Sequence, residues 1–230
     1  MIVRGNYGFD AAWALAGLLA GAALLVALAV LSYVNDVPAA AVAFVFGACY
    51  TLASVASHVY TTRRGRFAVW EAEMARLKGD EELLDLGSGR GAVLMIAAGR
   101  LERGRATGVL WGGRGEAVVR ANAEAEGVSD RVEVVTGDPG DLPFADGSYD
   151  VVVSNQALRD LDGRERAIRE AYRVLRPGGL LLVADVRHTQ AYEATLRELG
   201  AAEVRRRDPG WRFWYGGPWS ATWFVEARKP

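Results

Sequence analysis

Asp85 stands two positions before Gly87, and Gly89 and Gly91 follow at alternate positions around Ser88 and Arg90. Glycines let a backbone approach a ligand without a Cβ in the way. If a helix starts directly after them, its first N–H groups are free for an anionic or polar group. The chemistry that this spacing offers is therefore the holding of a nucleotide-like ligand. Two common phosphate patterns are excluded. A Walker loop needs Gly-Lys-Ser/Thr, and Arg90-Gly91-Ala92 is not that. The dinucleotide fingerprint needs its third Gly three positions after the second, and Gly91 comes two after Gly89.

The flanking pattern supplies the elements that such a turn requires. Leu83 to Leu86 is an apolar run, and Ala92, Val93, Ile96 and Ala97 follow at helical spacing. Strand, glycine turn and helix open a doubly wound α/β domain. The 230 residues suggest one such domain plus something extra, and the formal net charge of −1 gives no electrostatic support for a nucleic-acid partner. The single cysteine, Cys49, excludes an intramolecular disulfide and a zinc cluster. With two histidines, His58 and His188, in separate segments, a histidine-rich metal site is not expected.

The something extra is N-terminal. Residues 11–34 and 38–60 carry no Asp, Glu, Lys or Arg, and Asn35-Asp36 with Pro38 between them is turn chemistry. About 20 apolar residues cross a bilayer, so the reading is a transmembrane helical hairpin over residues 1–62. A cleaved signal peptide or two buried soluble helices are the alternatives. Arg4 precedes the first run and Arg63, Arg64 and Arg66 follow the second. That charge bias places both termini on the cytoplasmic side of a cell membrane. Gly17 with Gly21, and Ala39, Ala43 and Gly47, can pack the two helices together or pair two chains as a homodimer.

Residues 63–79 read as a linker, with a helix from Arg66 to Leu77 whose apolar face is Phe67, Trp70, Met74 and Leu77. From residue 80 to 230, apolar strand runs alternate with helical patterns. Strands are expected at 106–110, 132–136, 150–154 and 180–184. Helices are expected at 116–126, 164–175 and 190–199, and two alternating strands, 203–207 and 222–228, close an antiparallel sheet edge. The fold class is α/β: a Rossmann-like seven-stranded sheet with helices on both faces, preceded by two transmembrane helices.

Four further motifs stand in register: Gly127-Val128-x-Asp130-Arg131-Val132; Gly137-Asp138 with Asp141-Leu142-Pro143-Phe144; Ser148 to Ser154; and Arg173-Val174-Leu175-Arg176-Pro177-Gly178-Gly179-Leu180. With Asp85 and its glycine turn, they resemble class I S-adenosylmethionine (SAM)-dependent methyltransferases, especially the type 11, UbiE-like small-molecule group. The resemblance covers about residues 66–230. It implies SAM as cofactor, with Asp85, Gly87, Ser88, Gly89 and Gly91 around its amino-acid end. It also implies Asp138 on the adenine amino group with Pro139 beside it, and Ser154 at the crevice beyond strand four. One departure stands out. The family's ribose-gripping carboxylate falls on Leu110; alternatively one residue is missing and Trp111 keeps its place against adenine. Glu116 is the nearest carboxylate downstream.

For the acceptor, a hydroxyl or thiol would need a base. His188 is the first candidate and Asn155 the second, with Tyr192 behind them. No metal is required. The segment Gly210 to Trp219 is dense in aromatics and glycines. It can line an acceptor pocket, dock on a membrane interface or simply pack. The expected function is methyl transfer to a small, apolar or lipid-like, membrane-associated acceptor. The alternative is a non-catalytic SAM-binding or membrane assembly protein.

Overall fold

Leu83, Leu84 and Leu86 are fully buried because β1 (Glu82–Leu86) lies inside a sheet covered on both faces, where strands read as continuous apolar runs. The computed structural model describes residues 4–113 and 115–230. They divide into two units, one of residues 4–8, Phe67–Pro209 and Thr222–Pro230, the other of Phe9–Arg66 and Gly210–Ala221.

The first unit holds the sheet. β2 (Arg105–Leu110), β3 (Val132–Thr136), β4 (Tyr149–Asn155), β5 (Leu175–Asp185), β6 (Ala202–Arg207) and β7 (Trp223–Arg228) join β1 in the order β3-β2-β1-β4-β5-β7-β6. The strands from β3 to β5 are parallel, and β7 runs antiparallel to both β5 and β6. The order reverses between β1 and β4, so a crevice opens beyond the carboxyl ends of these two strands, where α/β sheets bind ligands.

Ile168, Ala171 and Tyr172 of α6 (Arg164–Val174) and Tyr192 and Leu196 of α7 (Thr189–Glu198) share one core with Leu84, Leu86, Val152, Leu181 and Val183. The period of two along each strand sends the alternate side chains to the other face, which α4 (Ala92–Ala98) and α5 (Glu116–Glu126) cover. The seven-stranded α/β reading holds, with shifts at element ends. The linker helix, α3 (Arg66–Met74), stops before Leu77, yet it buries Phe67, Trp70 and Met74 as its spacing predicts. α6 yields Leu175 to β5, because Leu175 pairs with Tyr149 while Leu180 pairs with Val151. Arg176 to Gly179 bulge out between those pairs. Gly178, at φ 78°, takes the left-handed turn that this bulge needs.

Arg4 to Gly8 also belong to this unit. The Arg4 and Gly5 amides and the Tyr7 hydroxyl all donate to Glu126 Oε1, and the Asn6 amide donates to Asn122 Oδ1. This strap runs along α5.

The second unit is built on α1 (Ala12–Val34) and α2 (Pro38–Tyr60), followed by a π-helical turn, Thr61–Gly65. Small residues face the partner helix, with Ala22, Ala29, Ala41 and Ala48 buried. The expectation that Gly17 and Gly21 close the hairpin fails. A Cβ on either would meet nothing within 4 Å, whereas one on Gly47 would touch Leu25 at 3.5 Å. Large side chains point outward, Trp13 at 78% and Phe46 at 72% exposure.

Candidate active site

The glycine turn leaves β1 at the switch point. Gly87, Gly89 and Gly91 have φ of 72°, 56° and 81°, all left-handed, so each position suits glycine. The Gly87 and Ser88 amides donate to the Val109 carbonyl of β2 at 3.0 and 3.2 Å, and the Gly91 amide donates to Ser88 O at 2.7 Å. Ser88 Oγ donates to Asp85 O at 2.9 Å. Packed there, it lies 2.6 Å from where a Cβ on Gly108 would stand. Gly108 is thus a site residue that motif reasoning passed over. Its signal was a glycine inside an otherwise apolar strand, which marks a close approach.

Beneath the turn, the Asp85 carboxyl is buried, with Oδ2 lacking a hydrogen-bond partner. Burial pushes its pKa up to about 7, against smaller opposing effects of Ser88 and the Leu94 backbone. A buried carboxylate oxygen without a donor is costly. A cationic or N–H-bearing ligand group would satisfy it.

Trp111 stands over the other side of the turn. A Cβ on Gly87 would lie 2.6 Å from the indole Cζ2 and Cη2, and 2.3 Å from Ala157 Cβ. The same tryptophan lines an open cleft of about 650 Å³ together with Asp138, Pro139, Gly140, Leu161 and Arg166. The residues expected around adenine, Trp111, Asp138 and Pro139, therefore share one cleft. Asp138 is exposed and spends Oδ1 on the Gly140 amide at 2.7 Å. Leu110 does not line the cleft; its side chain is 3% exposed and packed in the sheet. Glu116 pairs with Arg120, one turn along α5, at 2.7 Å.

Ser154 is buried, and its Oγ donates to Leu86 O at 2.9 Å, tying β4 to β1 at the crevice. Asn155 is half-buried and accepts from Trp70 Nε1 at 3.1 Å. His188 is exposed, at φ 61°, and caps α7 without a side-chain bond. The nearby buried ionisable pair is Asp185 and Tyr192. Tyr192 Oη donates to Asp185 Oδ2 at 3.3 Å, and the Val186 amide donates to Oδ1 at 2.8 Å. Burial pushes the Asp185 carboxyl up to about 6 and raises the Tyr192 phenol. An acidic residue closing an apolar strand was its sequence signal, as for Asp85.

Residues 84–183 match the family described as a methyltransferase domain. Over these residues the chain resembles a class I SAM-dependent methyltransferase domain. A similar relative is the ubiquinone/menaquinone biosynthesis C-methyltransferase UbiE of Roseobacter denitrificans, 35% identical over 108 residues, covering 47% of this chain and 43% of that protein. The demethylmenaquinone methyltransferase of Thermus thermophilus is 33% identical over 113 residues, covering 49% and 50%. The chain thus spans about half the length of these curated relatives. Among solved structures, the [4+2]-cyclase SpnF superposes with a TM-score of 0.61 at 26% identity, covering 72% of this chain and 80% of that one. Geranyl diphosphate methyltransferase in complex with SAM gives 0.62 at 14% identity, covering 75% and 88%, a likeness of fold.

SAM is the cofactor of this class, and the methyltransferase domain fits it. The glycine turn offers backbone at close range, and the unpartnered Asp85 oxygen matches the ammonium of an amino acid. Trp111 offers an aromatic face in the cleft that also holds Asp138.

Proposed function

We propose that this protein is a membrane-anchored SAM-dependent methyltransferase acting on a small, apolar, membrane-dissolved acceptor. The observation that carries the reading is the buried Asp85 carboxylate, without a donor on Oδ2, directly under the glycine turn. When bound, the cofactor supplies a methyl group on a sulfonium, which an acceptor takes by in-line displacement. The chain's own residues bind and orient. Asp85 and the glycine turn hold the amino-acid end, and Trp111, Asp138 and Pro139 flank the adenine. Ser154 keeps β1 and β4 together, so that the crevice keeps its width. Asn155 ends β4 and His188 follows β5; in this reading they serve the acceptor, His188 taking a proton from a hydroxyl or thiol. Alignment in a site that excludes water is the main requirement of such a transfer.

Anchoring is supported by two 23-residue helices whose large apolar side chains face outward. In water that surface would be costly at about 25 cal/mol per Å². Arg63 and Arg64 after α2 support a cytoplasmic side for the domain by the charge bias of membrane proteins. Two relatives are named for quinone biosynthesis or methylation, so a lipid-soluble quinone is the first acceptor to assay.

A second reading, a domain that holds SAM without transferring methyl, is favoured by Leu110, where the family's ribose carboxylate is missing. SpnF, a [4+2]-cyclase, illustrates that this fold hosts other chemistry. Calorimetric titration of the detergent-solubilised protein with S-adenosylhomocysteine, alongside Asp85→Ala, tests the cofactor site. Micromolar binding that the variant loses is the expected result, and no binding at millimolar ligand to folded protein overturns it. Turnover with quinones and lipids then separates the two readings.

A further inference from the structure

The aromatic segment Gly210–Ala221 belongs to the same unit as the hairpin, and it runs down α2 step by step. Arg212 O sits against Gly65, 1.9 Å from where a Cβ would stand. Trp211 stacks on Tyr60 at 5.1 Å between ring centroids. Trp214 O accepts from both Ser57 Oγ, at 2.9 Å, and Thr61 Oγ1, at 2.8 Å. Gly216 lies against Ser54 and Leu18, and Trp219 packs on Tyr50 with centroids 5.0 Å apart. Trp214 then bridges Ala221, where the segment comes back up. Tyr50 is ten residues before Tyr60, about 15 Å along a helix axis at 1.5 Å per residue.

Two properties fit this segment to hydrocarbon. Much of its backbone bonding is made within the unit: Tyr215 N donates to Ser220 O, Gly216 N to Trp214 O and Ser220 N to Gly217 O, while the two α2 hydroxyls hold Trp214 O. Irregular backbone at membrane depth requires such internal partners. Its polarity is also graded. Arg212, the segment's one charged residue, is level with Gly65 and the Arg63-Arg64 pair. The deeper part is Gly216, Gly217, Pro218 and Trp219. Trp211 and Trp219 remain 58% and 57% exposed, on the outward side that α2 leaves uncovered.

We propose that the β6–β7 segment is a re-entrant loop that enters the cytoplasmic leaflet beside α2, with lipid acyl chains against Trp219 and headgroups around Trp211 and Arg212. The inference rests on the hairpin spanning the membrane. It adds a second lipid contact, made by a segment that β6 and β7 flank in the sheet.

Full-length protein reconstituted in phosphatidylcholine–phosphatidylglycerol vesicles, with and without bromine on the acyl chains, tests this. The emission assigned to Trp219 is the difference between the parent and Trp219→Phe, and Trp13→Phe gives the α1 control. Most of the Trp219 emission should be lost in brominated vesicles and kept under aqueous iodide. Iodide quenching of Trp219 without bromine quenching, while Trp13 responds to bromine, overturns the loop and leaves the hairpin standing. If Trp13 also ignores bromine, the membrane reading falls and the loop with it. A second measurement uses Trp219→Cys in a Cys49→Ser background. A water-soluble maleimide should label it after detergent is added and not before; labelling in intact vesicles overturns the proposal.

Discussion

The Trp111 ring rests on Gly87, its Cζ2 and Cη2 each 2.6 Å from the place a Cβ would occupy. The contact joins the end of β2 to the turn after β1, at the mouth of the crevice. It explains why the first glycine of the turn is needed on two counts, a left-handed backbone and a ring in the way.

Gly87→Ala should therefore destabilise the protein by more than the about 1–2 kcal/mol that a left-handed backbone costs an ordinary residue. Adding Trp111→Ala should return part of the loss, giving a coupling of about 0.5–3 kcal/mol in a double-mutant cycle. Urea denaturation of the four proteins measures it. Additive effects would show that the ring and the glycine are independent.

Asp85 predicts a pH dependence of defined sign. Its folded-state pKa is raised, from 3.8 to about 7, so the folded protein keeps this proton to higher pH than the unfolded chain. Its contribution to stability is most favourable below 3.8, falls as pH rises towards 7 and is level above that. Cofactor binding has the opposite slope, since an ammonium prefers the ionised carboxylate. S-adenosylhomocysteine affinity should rise from pH 6 to above 7 as Asp85 ionises, and then level off. Asp85→Asn should bind weakly and lose the rising limb.

Asp185 and Tyr192 give a second, separable signature. Burial raises the Asp185 pKa from 3.8 to about 6, so its effect on stability falls between those values and is level above them. Tyr192→Phe removes a donor to a buried carboxylate, which should cost about 1–3 kcal/mol and move the upper limit of that window higher. Asp185→Asn should abolish the window. Denaturation midpoints at several pH values report both effects.

Restoring an acidic residue at position 110 should not restore ribose binding. The Leu110 side chain is packed in the sheet, and an uncompensated buried charge costs about 3–5 kcal/mol. Leu110→Asp should lower stability by that order with no gain in S-adenosylhomocysteine affinity, measured by denaturation and calorimetry. A gain in affinity would mean that position 110 does reach the ligand.

Most of the sheet was legible because buried parallel strands read as apolar runs; 132–136 and 116–126 have the bounds read from the sequence. The glycine turn was legible because left-handed positions restrict residue type. Less legible were features set by distant partners. Asp185 and His188 stand three positions apart at the end of β5, and chain packing alone decides that the first is buried and the second exposed. Gly17 and Gly21 carry a packing signal without saying which surface they face. The aromatic segment left three readings open, because which element it lies on is a long-range fact. So is the bonding of Asn6 to Asn122 and of Arg90 Nε to Asn6 O at 3.0 Å.

That bonding has a consequence for how the chain is assembled. Tyr7, on the strap, meets Phe67, the next residue of the same unit after the hairpin, with ring centroids 5.4 Å apart. Residues 9–66 are therefore spliced in between two residues of the sheet unit that touch each other, like an insertion in a continuous domain. A short graft from Gly8 to Phe67 would close that gap, leaving a domain whose opening residues still lie along α5.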